Sequence, residues 1–304
     1  MIRSSCTAML TLSILTAGLA LGEEEAGPNQ GKVSFSAGFD VTTQYLFRGI
    51  FQENQGSILQ PWGELGFSLF ESEGAIKSVG ISFGTWNSIH NGPSSDGPFA
   101  TGDWYESDWY AGVSVGLPGN LTFDGSYVNL LAPDVAGTSF FAEEFDLSLS
   151  YDDSGLWNLD IAGFEGLQPY VLYVVEVDGA SDGAGNGGDS YLEIGISPSV
   201  NVINCETAPV TMTVPVTVGL SLDDYYESPL PPAGDGDDET FGFFLVGVDF
   251  SMPLSFVPSN YGAWSAHAGV NVVFLGDSTI DLYDASDSTN GTEVIGTFGI
   301  GFEY

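Results

Sequence analysis

Carboxylates dominate the side chains of this sequence that could do chemistry. Asp40, Glu64, Glu106, Asp108, Asp124, Glu144, Asp146, Glu176, Glu193, Asp249 and Glu303 all fall on the polar side of segments in which apolar and polar residues alternate. Set around a water-filled passage, one sign of wall charge concentrates cations and repels anions. The same set also fits an interior that is merely polar, in a protein acidic throughout. Arg48 falls on the polar side with Asp40. It reads either as a selectivity or gating charge at a constriction or as a structural ion pair with an acidic neighbour. The sequence leaves both open.

Other chemistries find less support. Asp235-Gly236-Asp237-Asp238-Glu239 offers hard oxygen ligands for calcium but lacks the EF-hand spacing, and Asp182 to Asp189 contains a single glycine-aspartate unit. Both read first as solvated loops, and metal binding stays open. His90 and His267 are the only histidines. His267 alternates with Trp264, Ala266 and Ala268, which puts it on the polar side near Ser265 and Asn271, where a lipid-facing serine–histidine pair is not expected. Zinc spacing, a P-loop and a dinucleotide fingerprint are all absent from the sequence. No cofactor and no enzymatic activity are expected. The chain holds 41 acidic residues against four basic ones. Nucleic acid and anionic lipid surfaces are therefore disfavoured as partners by repulsion, and no nucleic-acid partner is expected.

The elements that must position these carboxylates are strands. In Val33–Phe47, the residues Val33, Phe35, Ala37, Phe39, Val41, Tyr45 and Phe47 form one face. The ten steps from Phe35 to Tyr45, at about 3.3 Å each and tilted, span about 25 Å, the height of an outer-membrane apolar band. Eleven further segments follow: Leu59–Phe70, Ser78–Ile89, Tyr105–Leu117, Leu121–Leu131, Phe140–Tyr151, Leu167–Val177, Tyr191–Val200, Thr211–Leu222, Phe241–Leu254, Trp264–Phe274 and Val294–Tyr304. With Val33–Phe47 they make twelve, an even number, and the first connections alternate long and short, as in a transmembrane barrel. The connection 152–166 departs from that pattern: it is long where a short turn is expected, and its Leu156, Trp157, Leu159 and Ile161 would extend a strand or pack under the barrel.

Met1-Ile2-Arg3 followed by an apolar stretch to Leu21 and then Glu23-Glu24-Glu25 reads as a cleaved secretory leader, residues 1–22. Residues 23–32 then form a short periplasmic segment, and 33–304 form one domain. Losing the leader leaves Lys32, Arg48 and Lys77 as the basic residues and Cys205 as the lone cysteine, so no internal disulfide is possible.

The ending Thr297-Phe298-Gly299-Ile300-Gly301-Phe302-Glu303-Tyr304 resembles the C-terminal signal that outer-membrane barrels present to the barrel-assembly machinery, with Gly299, Phe302 and Tyr304 as its marked positions. The run Thr43 to Gln52, containing Tyr45-Leu46-Phe47-Arg48-Gly49, with Gln60-Pro61 downstream and Asp108-Trp109-Tyr110-Ala111-Gly112 later, resembles the TorF-type porins. Phe51 departs from that pattern, which has a small polar residue there. The resemblance implies an exported outer-membrane barrel with a diffusion function and no catalytic residues.

The expected architecture is all-β: a transmembrane antiparallel up-and-down barrel of about twelve strands behind a cleaved signal peptide. The expected function is a cation-preferring porin of the cell outer membrane, with the lipid bilayer, small solutes or cations as partners. A non-conducting barrel with binding loops and a secreted soluble β-sandwich remain the alternatives.

Overall fold

Alternation produces strands almost wherever the sequence predicts them. The computed structural model describes residues 31–92, 103–134, 140–157, 159, 161–181, 187–205, 208–227, 239–277, 279 and 291–304. The leader 1–22, residues 23–30 and parts of both candidate calcium loops, 182–186 and 235–238, lie outside the described residues. In chain order the strands are β1 (Val33–Thr42), β2 (Tyr45–Phe47), β3 (Ile50–Glu53), β4 (Ile58–Glu71), β5 (Ser78–His90), β6 (Trp104–Leu117), β7 (Leu121–Leu131) and β8 (Phe140–Tyr151). They continue as β9 (Tyr170–Gly179), β10 (Ser190–Ile196), β11 (Ser199–Ile203), β12 (Val210–Thr213), β13 (Val216–Asp223), β14 (Phe241–Pro253), β15 (Ala263–Leu275) and β16 (Thr292–Glu303).

All of these except β2 and β3 join one antiparallel sheet, and β16 pairs back onto β1 from Ser36↔Glu303 to Thr42↔Thr297. The sheet closes on itself and leaves no open edge. β10 with β11, and β12 with β13, are single staves broken at Ser197-Pro198 and Val214-Pro215, because proline has no N–H to give a ladder. Counted so, the barrel has twelve staves. Tyr304 and Phe35 exchange backbone hydrogen bonds of 2.8 and 2.9 Å, which seals the two chain ends together. Phe302 packs on Trp264 and Phe35 at the same place.

Side-chain direction follows the alternation. Phe83, Phe123, Phe145, Ile194, Val270 and Phe298 point outward and are exposed. Ser82, Asp124, Asp146, Glu193 and Asp249 point inward and are buried. A continuous exposed apolar belt suits lipid rather than water. Among the described residues, no helix is long and apolar enough to cross a membrane.

Two expectations change. The predicted strand Val33–Phe47 ends at Thr42, and Tyr45 and Phe47, expected on the outer face, are buried inside. The predicted long connection 49–58 holds the returning strand β3 instead of an extended outer loop. The segment after β8 makes one 3-10 turn, Ser154–Leu156, and then runs beside β11, where Asn201 N–H donates to Ala162 O and Ser197 N–H to Leu167 O. It therefore continues the seventh stave irregularly toward the barrel end where β1 starts and β16 ends. Asp153 pins it, accepting from Trp157 Nε1 at 2.7 Å and from the N–H groups of Leu167 and Gln168 at 3.1 and 2.9 Å.

A charge on the outward face should be costly and one on the inward face should not. Val270→Arg, in the middle of β15, is expected to destabilise the barrel by about 2–4 kcal/mol in phospholipid vesicles. Ser148→Arg, inward and opposite Asp124 in the β7–β8 register, is expected to cost far less. Urea unfolding from vesicles measures both, and equal losses would contradict the assigned faces.

Candidate functional site

The interior is occupied by the segment that connects β1 to β4. Thr42 starts the departure from the wall, its hydroxyl donating to Gln44 O at 2.8 Å. β2 and β3 then pair as a hairpin through Phe47↔Ile50 and Leu46↔Phe51. The turn residues Arg48 and Gly49 have φ of +48° and +87°, as a two-residue hairpin turn demands. Glycine takes such a φ without strain, whereas arginine gives up about 1–3 kcal/mol there.

Packing offsets that strain. Tyr45 and Phe47 bury against Ile58, Val128, Leu130 and Ala142. Leu46 and Ile50 bury against Val174, Tyr191, Phe243, Leu245 and Val273. Burying a side chain of this size contributes about 1.5–3 kcal/mol relative to exposure. The half of the lumen nearer the long loops is thereby filled with two apolar clusters, one on either side of the hairpin.

Arg48 stands between those clusters and is 2% exposed. Nη1 and Nη2 donate to the two carboxylate oxygens of Glu144 at 2.8 and 2.7 Å. Nη1 also donates to the Tyr225 hydroxyl at 2.7 Å, and Nη2 lies 3.7 Å from Asp146. The guanidinium carbon sits 4.6, 5.1 and 5.7 Å from the ring centroids of Phe47, Tyr191 and Tyr225. The Tyr226 hydroxyl donates to Arg48 O at 2.7 Å, fixing the turn itself. Burial alone would lower the Arg48 pKa, but Glu144, Tyr225 and Asp146 raise it well above the ordinary arginine value.

The other predicted carboxylates also lie on the inner wall, and their partners differ. Glu106 accepts from the Tyr45 hydroxyl at 2.7 Å, which ties β6 to the hairpin. Asp108 beside it accepts no hydrogen bond from a described N–H or hydroxyl. Glu193 accepts from Tyr170 and Tyr191, both at 2.6 Å. Glu176 accepts from Ser181 N–H at 2.9 Å and from its hydroxyl. Glu64 accepts from Tyr110 at 2.9 Å. Asp40 accepts from Trp62 Nε1 at 3.2 Å and pairs with His267 Nε2 at 2.5 Å. Asp124 and Asp249 are buried inward, and Glu303 is half-buried near the chain ends.

Arg48, Glu144, Asp146, Glu106, Asp108, Glu176 and Glu193 thus gather around the hairpin, while Asp40, Glu64 and Asp249 line the wall away from it. Lys32 pairs with Glu71 at 2.9 Å and Lys77 with Glu73 at 3.3 Å, both outside the lumen. Of the tyrosines that donate to these carboxylates, Tyr45 reads as outward-facing in the sequence, and Tyr170 and Tyr191 do not stand out there as donors. The run Tyr45-Leu46-Phe47, apolar on both faces, was the available signal for two-sided burial.

His90 Nε2 lies 2.7 Å from Ser88 Oγ, and its ring stacks on Tyr105 at 4.5 Å. Ser88 and His90 are fully buried, closed off from both lumen and lipid. His267 is paired to Asp40 rather than to a serine. Among the described residues, no group of three or more His, Cys, Asp or Glu is placed to hold a metal ion.

No family model matches the chain, and no curated protein matches it. Among solved structures, the chain is similar to an outer membrane channel from Pseudomonas putida F1, with 9% identity, TM-score 0.45, and 90% of this chain and 95% of that one covered. It is similar to LpxR from Salmonella typhimurium, with 11% identity, TM-score 0.44, and coverage of 88% and 99%. It is also similar to the beta domain of the Bordetella autotransporter Brka, with 10% identity, TM-score 0.43, and coverage of 90% and 98%. The barrel itself is defined by the strand pairing of this chain.

Arg48→Met strands Glu144 as a buried carboxylate without its cation and should destabilise the barrel by about 3–5 kcal/mol. Adding Glu144→Gln should restore much of that loss. A double-mutant cycle on urea unfolding measures the coupling, and additive losses would contradict it.

Proposed function

We propose that this protein is an outer-membrane barrel of porin type that passes small solutes with a preference for cations, and that the first-loop hairpin keeps the passage shut in the conformation described. The observation that carries this reading is the sign of the inner wall. Asp40, Glu64, Asp124, Asp249 and the carboxylates around the hairpin face inward, and Arg48 is the one lysine or arginine among the described residues that does so. The outward apolar belt supports a bilayer setting. Export through residues 1–22, assembly directed by Gly299, Phe302 and Tyr304, and membership of the TorF-type porins belong to the same reading.

A second reading has its own support. Two apolar clusters fill the long-loop half of the lumen, which also suits a barrel that conducts nothing and acts through its outer loops.

Planar bilayers separate the two. The intact barrel should conduct little. A barrel in which residues 45–53 are replaced by a short glycine-serine linker should form a channel whose reversal potential in a potassium chloride gradient has the cation sign. That preference should weaken with salt, because the Debye length falls to about 3 Å at 1 M. A folded linker variant that carries no current would establish the non-conducting reading, and anion preference would contradict the first.

A further inference from the structure

The guanidinium of Arg48 sits in a cage that it does not itself build. Glu144 and Asp146 come from β8, Tyr191 from β10, and Tyr225 from the residues following β13. Of the groups contacting the guanidinium, only Phe47 belongs to the hairpin. Glu144, Asp146 and Tyr191 therefore stay on the wall when the hairpin is away.

Its chemistry is specific. Two carboxylate oxygens of Glu144 meet two guanidinium nitrogens at 2.7 and 2.8 Å, a planar fork of parallel hydrogen bonds that matches a guanidinium. Two tyrosine rings supply π faces, which favour weakly hydrated organic cations. Arg48 Nε has no hydrogen-bond partner among the described residues, so binding is through the terminal nitrogens and does not need the arginine stem. Asp146 lies beside the pair, its Oδ2 3.7 Å from Nη2. Arg48 holds its place at a φ of +48°, a strain that a free cation does not bear.

We propose that Glu144, Asp146, Tyr191 and Tyr225 form a binding site for guanidinium and small alkylammonium ions, and that Arg48 is its tethered occupant. This deepens the cation-porin reading by naming the solute class, and it rests on that reading only for transport. Solute competing for the cage would release the hairpin, so the lock on the passage and its opening would share one site.

Arg48→Gly tests the site, since glycine suits the turn and leaves the cage empty. The purified barrel in detergent is titrated with methylguanidinium, tetramethylammonium and potassium chlorides at constant ionic strength. Binding is read by calorimetry and by the unfolding temperature. Saturable binding of methylguanidinium is expected in Arg48→Gly, with no response in the wild type at the same concentrations. Glu144→Gln added to Arg48→Gly should weaken it about tenfold or more, the loss expected from a charged hydrogen bond. Absence of saturable binding, the same affinity without Glu144, or an equal response to potassium would overturn the site. The variant lacking residues 45–53 is titrated the same way, which gives an answer independent of how Arg48→Gly folds. A barrel that binds methylguanidinium but passes no current would support the site and sink the porin reading. One that conducts without binding would do the reverse.

Discussion

A single buried ion pair, Arg48 with Glu144, decides what the inside of this barrel is. A chain with so many carboxylates turned inward has little reason to fill its lumen with anything apolar. Yet a hairpin of mostly apolar residues enters there and brings Arg48, the one lysine or arginine that faces inward among the described residues. Without Arg48 the hairpin would sit among Glu144, Asp146, Glu176 and Glu193 with no counter-charge, and a buried carboxylate without a partner is among the costliest groups a fold can hold. With it, the carboxylates of β8 become the anchor, and Tyr191, Tyr225 and Tyr226 close around the turn.

The remaining interior follows from the same scarcity of positive charge. Tyrosine hydroxyls stand in for the missing lysines and arginines: Tyr45 on Glu106, Tyr110 on Glu64, Tyr170 and Tyr191 on Glu193. A hydroxyl satisfies a carboxylate oxygen without neutralising it.

Much of the wall was legible in the sequence. The ranges Leu121–Leu131 and Phe140–Tyr151 are those of β7 and β8, since one apolar face and one polar face fix a strand and its register together. The inward placement of Asp40, Glu64, Asp146, Glu193 and Asp249 followed from period two alone. Prolines 198 and 215 were passed over because the alternation runs through them while the hydrogen-bond ladder does not. The hairpin was missed for a sharper reason. Tyr45 and Phe47 keep the phase of Phe39 and Val41, so alternation assigns them to the lipid face. Only the intervening Leu46 and the later pair Ile50-Phe51 betray burial on both sides. The cage around Arg48 was out of reach, because it joins residues from β8, β10 and the segment after β13 that no local pattern connects.

Hydrogen exchange across the hairpin tests the closed lumen most directly. In the intact barrel reconstituted in lipid, the backbone amides of residues 45–53 should exchange about as slowly as those of β7 in the wall, because they are paired and shielded from water. Exchange of that segment at the rate of an exposed loop would mean that the hairpin lies outside the lumen and that Arg48 does not lock it.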